Sequence, residues 1–140
     1  MYLVHTKPDI CYVVSALSQF MFDLKHIHWI ASKHVLRYLR GTIAYGLSYT
    51  FSSGVMLLGY ADFDWVGNAV DRKSTFGYCF SMGSTMISWS RKKQGSIASS
   101  TVEAKSIATS DVCRREVWLR KLLSDLFDGK FEPTVIHCDN

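Results

Sequence analysis

Between residues 6 and 40 the apolar positions recur at helical spacing. Val13, Val14, Leu17 and Met21 share one side of a first helix. Thr6 is its candidate N-cap, and Pro8 suits the first turn, where a missing N–H costs nothing. Asp23 is placed to cap a second helix running to about Arg40. Ile27, Ala31, Val35, Leu36 and Leu39 form its apolar stripe, and Gly41 fits the position just past its end. The first 42 residues are therefore expected to form a helical pair.

From "TIAYGLSYTF" onward the pattern changes to strands. "VMLLGYAD" is a nearly continuous apolar run, as in a central strand covered on both faces. "STFGYCFSM" and "TMISWS" flank Gly83-Ser84, the signature of a tight hairpin. "RKKQGS" is expected to be a basic loop. A long helix follows from about Thr101 to Leu126, the chain turns at Gly129, and "PTVIHCD" makes a final strand. No internal repeat or low-complexity segment interrupts this order.

Strand, hairpin, helix, strand lets the helix cross over and lay the last strand parallel to the first. Asp62 and Asp139 then fall at the carboxyl ends of neighbouring strands, ~5 Å apart. Ligands of α/β sheets gather at that edge. Two carboxylates so close repel unless a cation lies between them, and hard oxygen ligands suit Mg²⁺ or Mn²⁺.

Composition changes this picture little. The 140 residues suffice for one domain or slightly more. A net charge of +4 permits nucleic-acid binding without establishing it. Cys11, Cys79, Cys113 and Cys138 form no C-x-x-C pair, which argues against zinc or a redox motif and predicts buried free thiols in a reducing, intracellular compartment. The N-terminus does not have the form of a signal peptide, and no run approaches the ~20 apolar residues of a membrane span. "VIHCDN" stops directly after a strand-like run, so truncation is expected.

Several long motifs, in order, carry a family likeness. They are "YLVHTKPDICYVVSALSQFM", His28-Trp29 and "ASKHVLRYLRGTIAYGLSY", then "GYADFDWVGN", "DRKSTFGYCFSMGSTMISWSRKKQ", "SIASSTVEAKSIA", "VWLRKLL" and "IHCDN". The chain resembles the ribonuclease H region of copia-type retrotransposon Pol polyproteins, preceded by the C-terminal tail of the reverse transcriptase. The resemblance implies a helical remnant at residues 1–42 and a ribonuclease H-like α/β domain with a mixed sheet at 43–140, lacking its last strand and later helices. It implies cleavage of the RNA strand of RNA/DNA hybrids, with four carboxylates holding two divalent ions, Mg²⁺ or Mn²⁺. Partners would be the hybrid and the remaining polyprotein segments, with no membrane.

By that resemblance Asp62 matches the first acid and Asp139 the third, while Asp64 is a near neighbour of Asp62. The fourth acid lies on a later helix beyond the matched residues. The second acid belongs to a helix-opening run of the form S-T-A-E-A-E-Y. Here the run is "STVEAKS", so Lys105 stands at the ligand position. Glu103 is two residues away, roughly 200° round the helix. It is better read as the far half of a Ser100-x-x-Glu103 capping box, facing water. Lys105 is expected to face the sheet with Ala108, Val112, Leu119 and Leu123. Its ammonium would then compete with a metal for Asp62 and Asp139, and hybrid cleavage is expected to be absent.

Arg91, Lys92 and Lys93 are candidate phosphate contacts, with a solvated basic loop as the alternative. Arg114, Arg115, Arg120 and Lys121 suit a solvated helix face. Trp29, Trp65, Trp89 and Trp118 fit packing or base stacking. His26 and His28 face differently on their helix, and Ser99, Ser100 and Thr101 lack a triad. Three functions stay open: an inactive retrotransposon remnant, a ribonuclease H completed by downstream sequence, and a non-catalytic nucleic-acid-binding or interaction module.

Overall fold

A computed structural model describes residues 2–50, 56–64 and 73–138. Asp139, Trp65 and Phe51 lie outside these residues. The chain divides into two compact units, residues 1–48 and 49–140.

The first unit is helical, as its spacing predicts, but the boundaries differ. Helix α1 spans Tyr2–Thr6, a 3₁₀ turn spans Pro8–Ile10, α2 spans Cys11–Ser18 and α3 spans His26–Gly41. Thr6 closes α1 rather than capping α2, and its hydroxyl donates to the Leu3 carbonyl. Pro8 opens the 3₁₀ turn. Lys25, not Asp23, is the N-cap of α3, and the Lys25 amide donates to His28 Nδ1 at 3.2 Å. Ala31, Val35 and Leu39 are partly covered as expected, whereas Ile27 and Leu36 stay exposed.

Residues 42–50 form no strand. Their carbonyls are used elsewhere: the Lys7 ammonium donates to Thr42 O at 2.7 Å and Tyr45 O at 3.1 Å. That contact satisfies the end of α3 with a cation where the helix dipole is negative.

The second unit holds β1 Leu57–Asp64, β2 Thr75–Met82, β3 Thr85–Lys93, α4 Thr101–Phe127 and β4 Val135–Cys138. The sheet order is β3-β2-β1-β4, with β1 antiparallel to β2 and parallel to β4. The crossover expected from the sequence is therefore present. Gly83, at φ 62°, makes the two-residue β2–β3 turn, a conformation that costs glycine little. β3 runs on through Lys93, so the expected basic loop is strand up to that residue. The ladder Thr75↔Lys93 to Gly77↔Arg91 extends it.

α4 covers one face of the sheet. Ala108, Val112, Leu119 and Leu123 recur at helical spacing and pack on Leu57, Ala61, Phe76 and Phe80. The helix stops at Asp128, which takes the left-handed conformation at φ 46°, one residue before the turn expected at Gly129. Aspartate tolerates that region better than most residues. None of the cysteines is fully buried, contrary to expectation. Cys113 and Cys138 are exposed, and all four are free thiols. Cys113 lies on α4 beside the stripe that meets the sheet, and Cys138 ends β4.

Candidate functional site

Strand alternation sorts the side chains of β1. Leu57, Gly59 and Ala61 are buried under α4, whereas Tyr60 and Asp62 are exposed on the opposite face. Asp62 pairs with Gly77 on β2. The parallel pair with β4 is described as far as Ala61↔Cys138, one residue short of Asp62 and Asp139 in the sequence. Asp139 itself is outside the described residues.

The start of α4 is fixed by serine oxygens. Ser100 is the N-cap, and its hydroxyl accepts from the Glu103 amide at 3.1 Å. The returning half of the box is shifted by one residue. Glu103 Oε2 accepts from the Ser99 amide and the Ser99 hydroxyl, each at 2.6 Å. The Ser99 hydroxyl, with its amide, holds the Glu103 carboxyl below the usual glutamate range. Glu103 is exposed, as expected, and committed to this cap.

Lys105 departs from expectation. The buried residue in this turn is Ala104, at 4% exposure, while Lys105 is exposed. It borders a crevice lined also by Phe63, Ser74, Thr75, Gln94 and Ala108. It thus sits on the rim of the helix–sheet interface, because Ala104 and Ala108, four apart, are the pair that points inward. Among the described residues Lys105 has no ion pair with Asp62, which projects from the other face of the sheet.

The basic triplet is divided by the pleat. Lys92 points to the α4 face, where its ammonium meets Asp111 Oδ2 at 2.6 Å and lies 5.4 Å from the Phe76 ring centre. Arg91 and Lys93 belong to the opposite face, with Trp89. Asp111 also pairs with Arg114. The Lys92 hydrogen bond, ahead of the charges of Lys92 and Arg114, holds the Asp111 carboxyl below its usual range. Arg115 donates to Ser88 Oγ at 3.2 Å and lies 4.3 Å from the Trp118 ring centre. Part of the expected solvated face thus ties α4 to β3.

Sequence reasoning passed over one buried acid. Glu116, at 7% exposure, sits in the inward stripe of α4 with Oε1 at 3.5 Å from Arg120 Nε. The signal is its spacing, four residues after Val112. It does not replace a ligand at position 105, being eleven residues and about 16 Å further along the helix. Among the described residues no three of His, Cys, Asp or Glu are grouped to hold a metal ion.

The chain has relatives among known proteins. A protein of Plasmopara viticola described as a secreted RxLR effector protein is 44% identical over 120 residues, 85% of this chain and 84% of that protein. The retrovirus-related Pol polyprotein from transposon RE2 of Arabidopsis thaliana is 40% identical over 99% of this chain. That from transposon TNT 1-94 of Nicotiana tabacum is 38% identical, also over 99%. The chain spans about 10% of the length of each of these polyproteins. No family model matches it, and no solved structure does. Among the described residues no helix is long and apolar enough to cross a membrane.

Proposed function

We propose that this chain, homologous along nearly its whole length to retrovirus-related Pol polyproteins of copia-type retrotransposons, is the ribonuclease H part of such a polyprotein, with the tail of the reverse transcriptase before it, in a non-catalytic form. The observation that carries this reading is the parallel β1–β4 pair made by the α4 crossover. It supports the family's strand order, in which two acids end neighbouring parallel strands.

The donor set does not fit two divalent ions. Of the acids that the resemblance names, Asp62 is one exposed carboxylate and Asp139 lies outside the described residues, while Glu103 is engaged by Ser99 and position 105 carries an ammonium. A cation at a ligand position neither coordinates a metal nor raises its affinity. No step of hydrolysis is therefore assigned to these residues. With an RNA/DNA hybrid and Mg²⁺ or Mn²⁺, the expected result is no cleavage above buffer. Lys105→Glu alone is not expected to restore it, because the family's fourth acid matches no residue of this chain. Cleavage by the native chain that disappears in Asp62→Ala would sink the proposal.

A second reading is a stand-alone nucleic-acid-binding or interaction module. It is favoured by the Plasmopara viticola relative, a chain of comparable length rather than a polyprotein. Hybrid binding that weakens steeply with salt supports this reading. Equally weak association with hybrid, duplex and single strand at all salt concentrations removes it.

A further inference from the structure

Gln94, the residue just after β3, joins three parts of the second unit, and half of its side-chain amide is unanswered. Its backbone amide donates to Ser74 O at 2.8 Å, and its Nε2 donates to Ala104 O on α4 at 2.7 Å. The residue is 4% exposed, yet its Oε1 has no hydrogen-bond partner among the described residues. Turning the amide over would set Oε1 against the Ala104 carbonyl, so the bond itself fixes which atom is left over. A buried acceptor without a donor weakens a fold.

Gln94 lines the crevice between α4 and the sheet that Lys105 borders. The crevice offers about 10 Å³, at the lower limit for one water, and a held water needs roughly two to four polar partners. Much of the lining is apolar, from Phe63, Phe76, Ala104 and Ala108. Lys105 is exposed, and among the described residues its ammonium has no hydrogen bond or ion pair. It stands near the positive end of the α4 dipole, where a cation gains nothing from the helix.

We propose that Lys105 is a strap over this crevice: its ammonium donates to Gln94 Oε1 and fastens the first turns of α4 to the end of β3. A rotamer change of an exposed side chain is the only motion required. The carbon stem then lies along the apolar lining, while the charged head stays at the rim in contact with water. A donor on a long apolar tether is what a crevice with one buried acceptor and an apolar lining calls for. A carboxylate at position 105 would bring a second acceptor to Gln94 instead. This goes beyond the catalytic descent proposed above and does not depend on it. The outcome of a hybrid-cleavage assay leaves it standing, and its own failure leaves the descent standing.

The test is urea unfolding of the full chain, followed by the fluorescence of Trp89 and Trp118 in the second unit. Lys105→Met keeps the stem and nearly the same helix propensity but removes the donor. It should raise the unfolding constant about 3- to 10-fold, the worth of one charge-assisted hydrogen bond reduced for exposure. Lys105→Arg, still a donor, should recover most of that loss. Lys121→Met, on exposed surface of the same helix, should change the constant little. In a Gln94→Met background, Lys105→Met should lose its effect, because the strap has nothing to hold. An idle ammonium predicts the opposite sign: removing a cation near the start of a helix leaves stability unchanged or raises it. That result overturns the proposal, as does an equal loss from Lys105→Met with and without Gln94. If Gln94→Met does not fold, the sign of the Lys105→Met effect and its recovery by Lys105→Arg decide.

Discussion

Ser99, Ser100 and Glu103 show how a single carboxylate can be read in two ways from sequence and in one way from structure. The carboxylate is held by the Ser99 amide and hydroxyl, so it serves the helix end. Ser100→Ala should cost about 1 kcal/mol in denaturant unfolding, the usual worth of an N-cap oxygen. The Ser99 bonds lower the Glu103 pKa below its ordinary 4.5. A lowered carboxyl stabilises the fold above its unfolded pKa, and that stabilisation is lost as pH falls through the folded value. Glu103→Gln should therefore reduce stability at neutral pH and converge with the native chain in acid. Gly59 is the other position with little tolerance. A Cβ there would lie 2.8 Å from Phe80 Cε1 and 3.1 Å from Ile136 Cγ1. Phe80 is fully buried and has nowhere to move. Gly59→Ala should cost about 1–3 kcal/mol by overpacking, seen as a lower midpoint of chemical denaturation.

At the scale of elements, α4 is tied to β3 by polar contacts as well as packed on β1 and β2 by apolar ones. Lys92 with Asp111, and Arg115 with Ser88, are the ties. Lys92 is more than half exposed, so Lys92→Ala should cost less than about 1 kcal/mol. The direction with pH is still measurable. The Asp111 pKa is lowered below its ordinary 3.8, first by the Lys92 hydrogen bond. Its stabilisation is present above that value and lost as pH falls through the folded pKa. Asp111→Asn should therefore flatten the acid limb of a stability–pH curve, and Lys92→Ala should flatten it in part. An unchanged acid limb in both variants would show that the pair adds nothing to the fold.

For the whole molecule, the two units bury very different amounts. Among the described residues of the first unit only Ile10 is buried, while Met21, Phe22, Leu24 and Trp29 are more than half exposed. The second unit has a core of eight buried residues shared by β1, β2 and α4. Protection from exchange follows burial and cooperative packing. Amide hydrogen exchange should therefore be slowest in β1, β2 and the middle of α4, and far faster in α2 and α3. Equal protection of α3 and β1 would contradict this.

Much of the second unit was legible in the sequence, because its signals are local. Gly83-Ser84 specifies a hairpin turn, Ser100 an N-cap, and the Ala108–Leu123 spacing a one-sided helix. Each depends only on neighbours along the chain. The start of β3 was legible too, but Arg91–Lys93 look like loop in sequence because a basic run gives no sign of a partner strand. Only the ladder with Thr75–Gly77 shows that Lys92 faces α4 while Arg91 and Lys93 face away. Lys105 is the same lesson on a helix. Sequence spacing put it near the inward side, but which of two adjacent residues is covered depends on how the helix is rotated on the sheet. That rotation is set by tertiary packing, which buries Ala104 and leaves Lys105 at the rim. The sequence alone determined that an ammonium stands at the position where the resemblance leads one to expect a carboxylate. Only the tertiary structure decided that it lies at an exposed edge, on the other side of the sheet from Asp62.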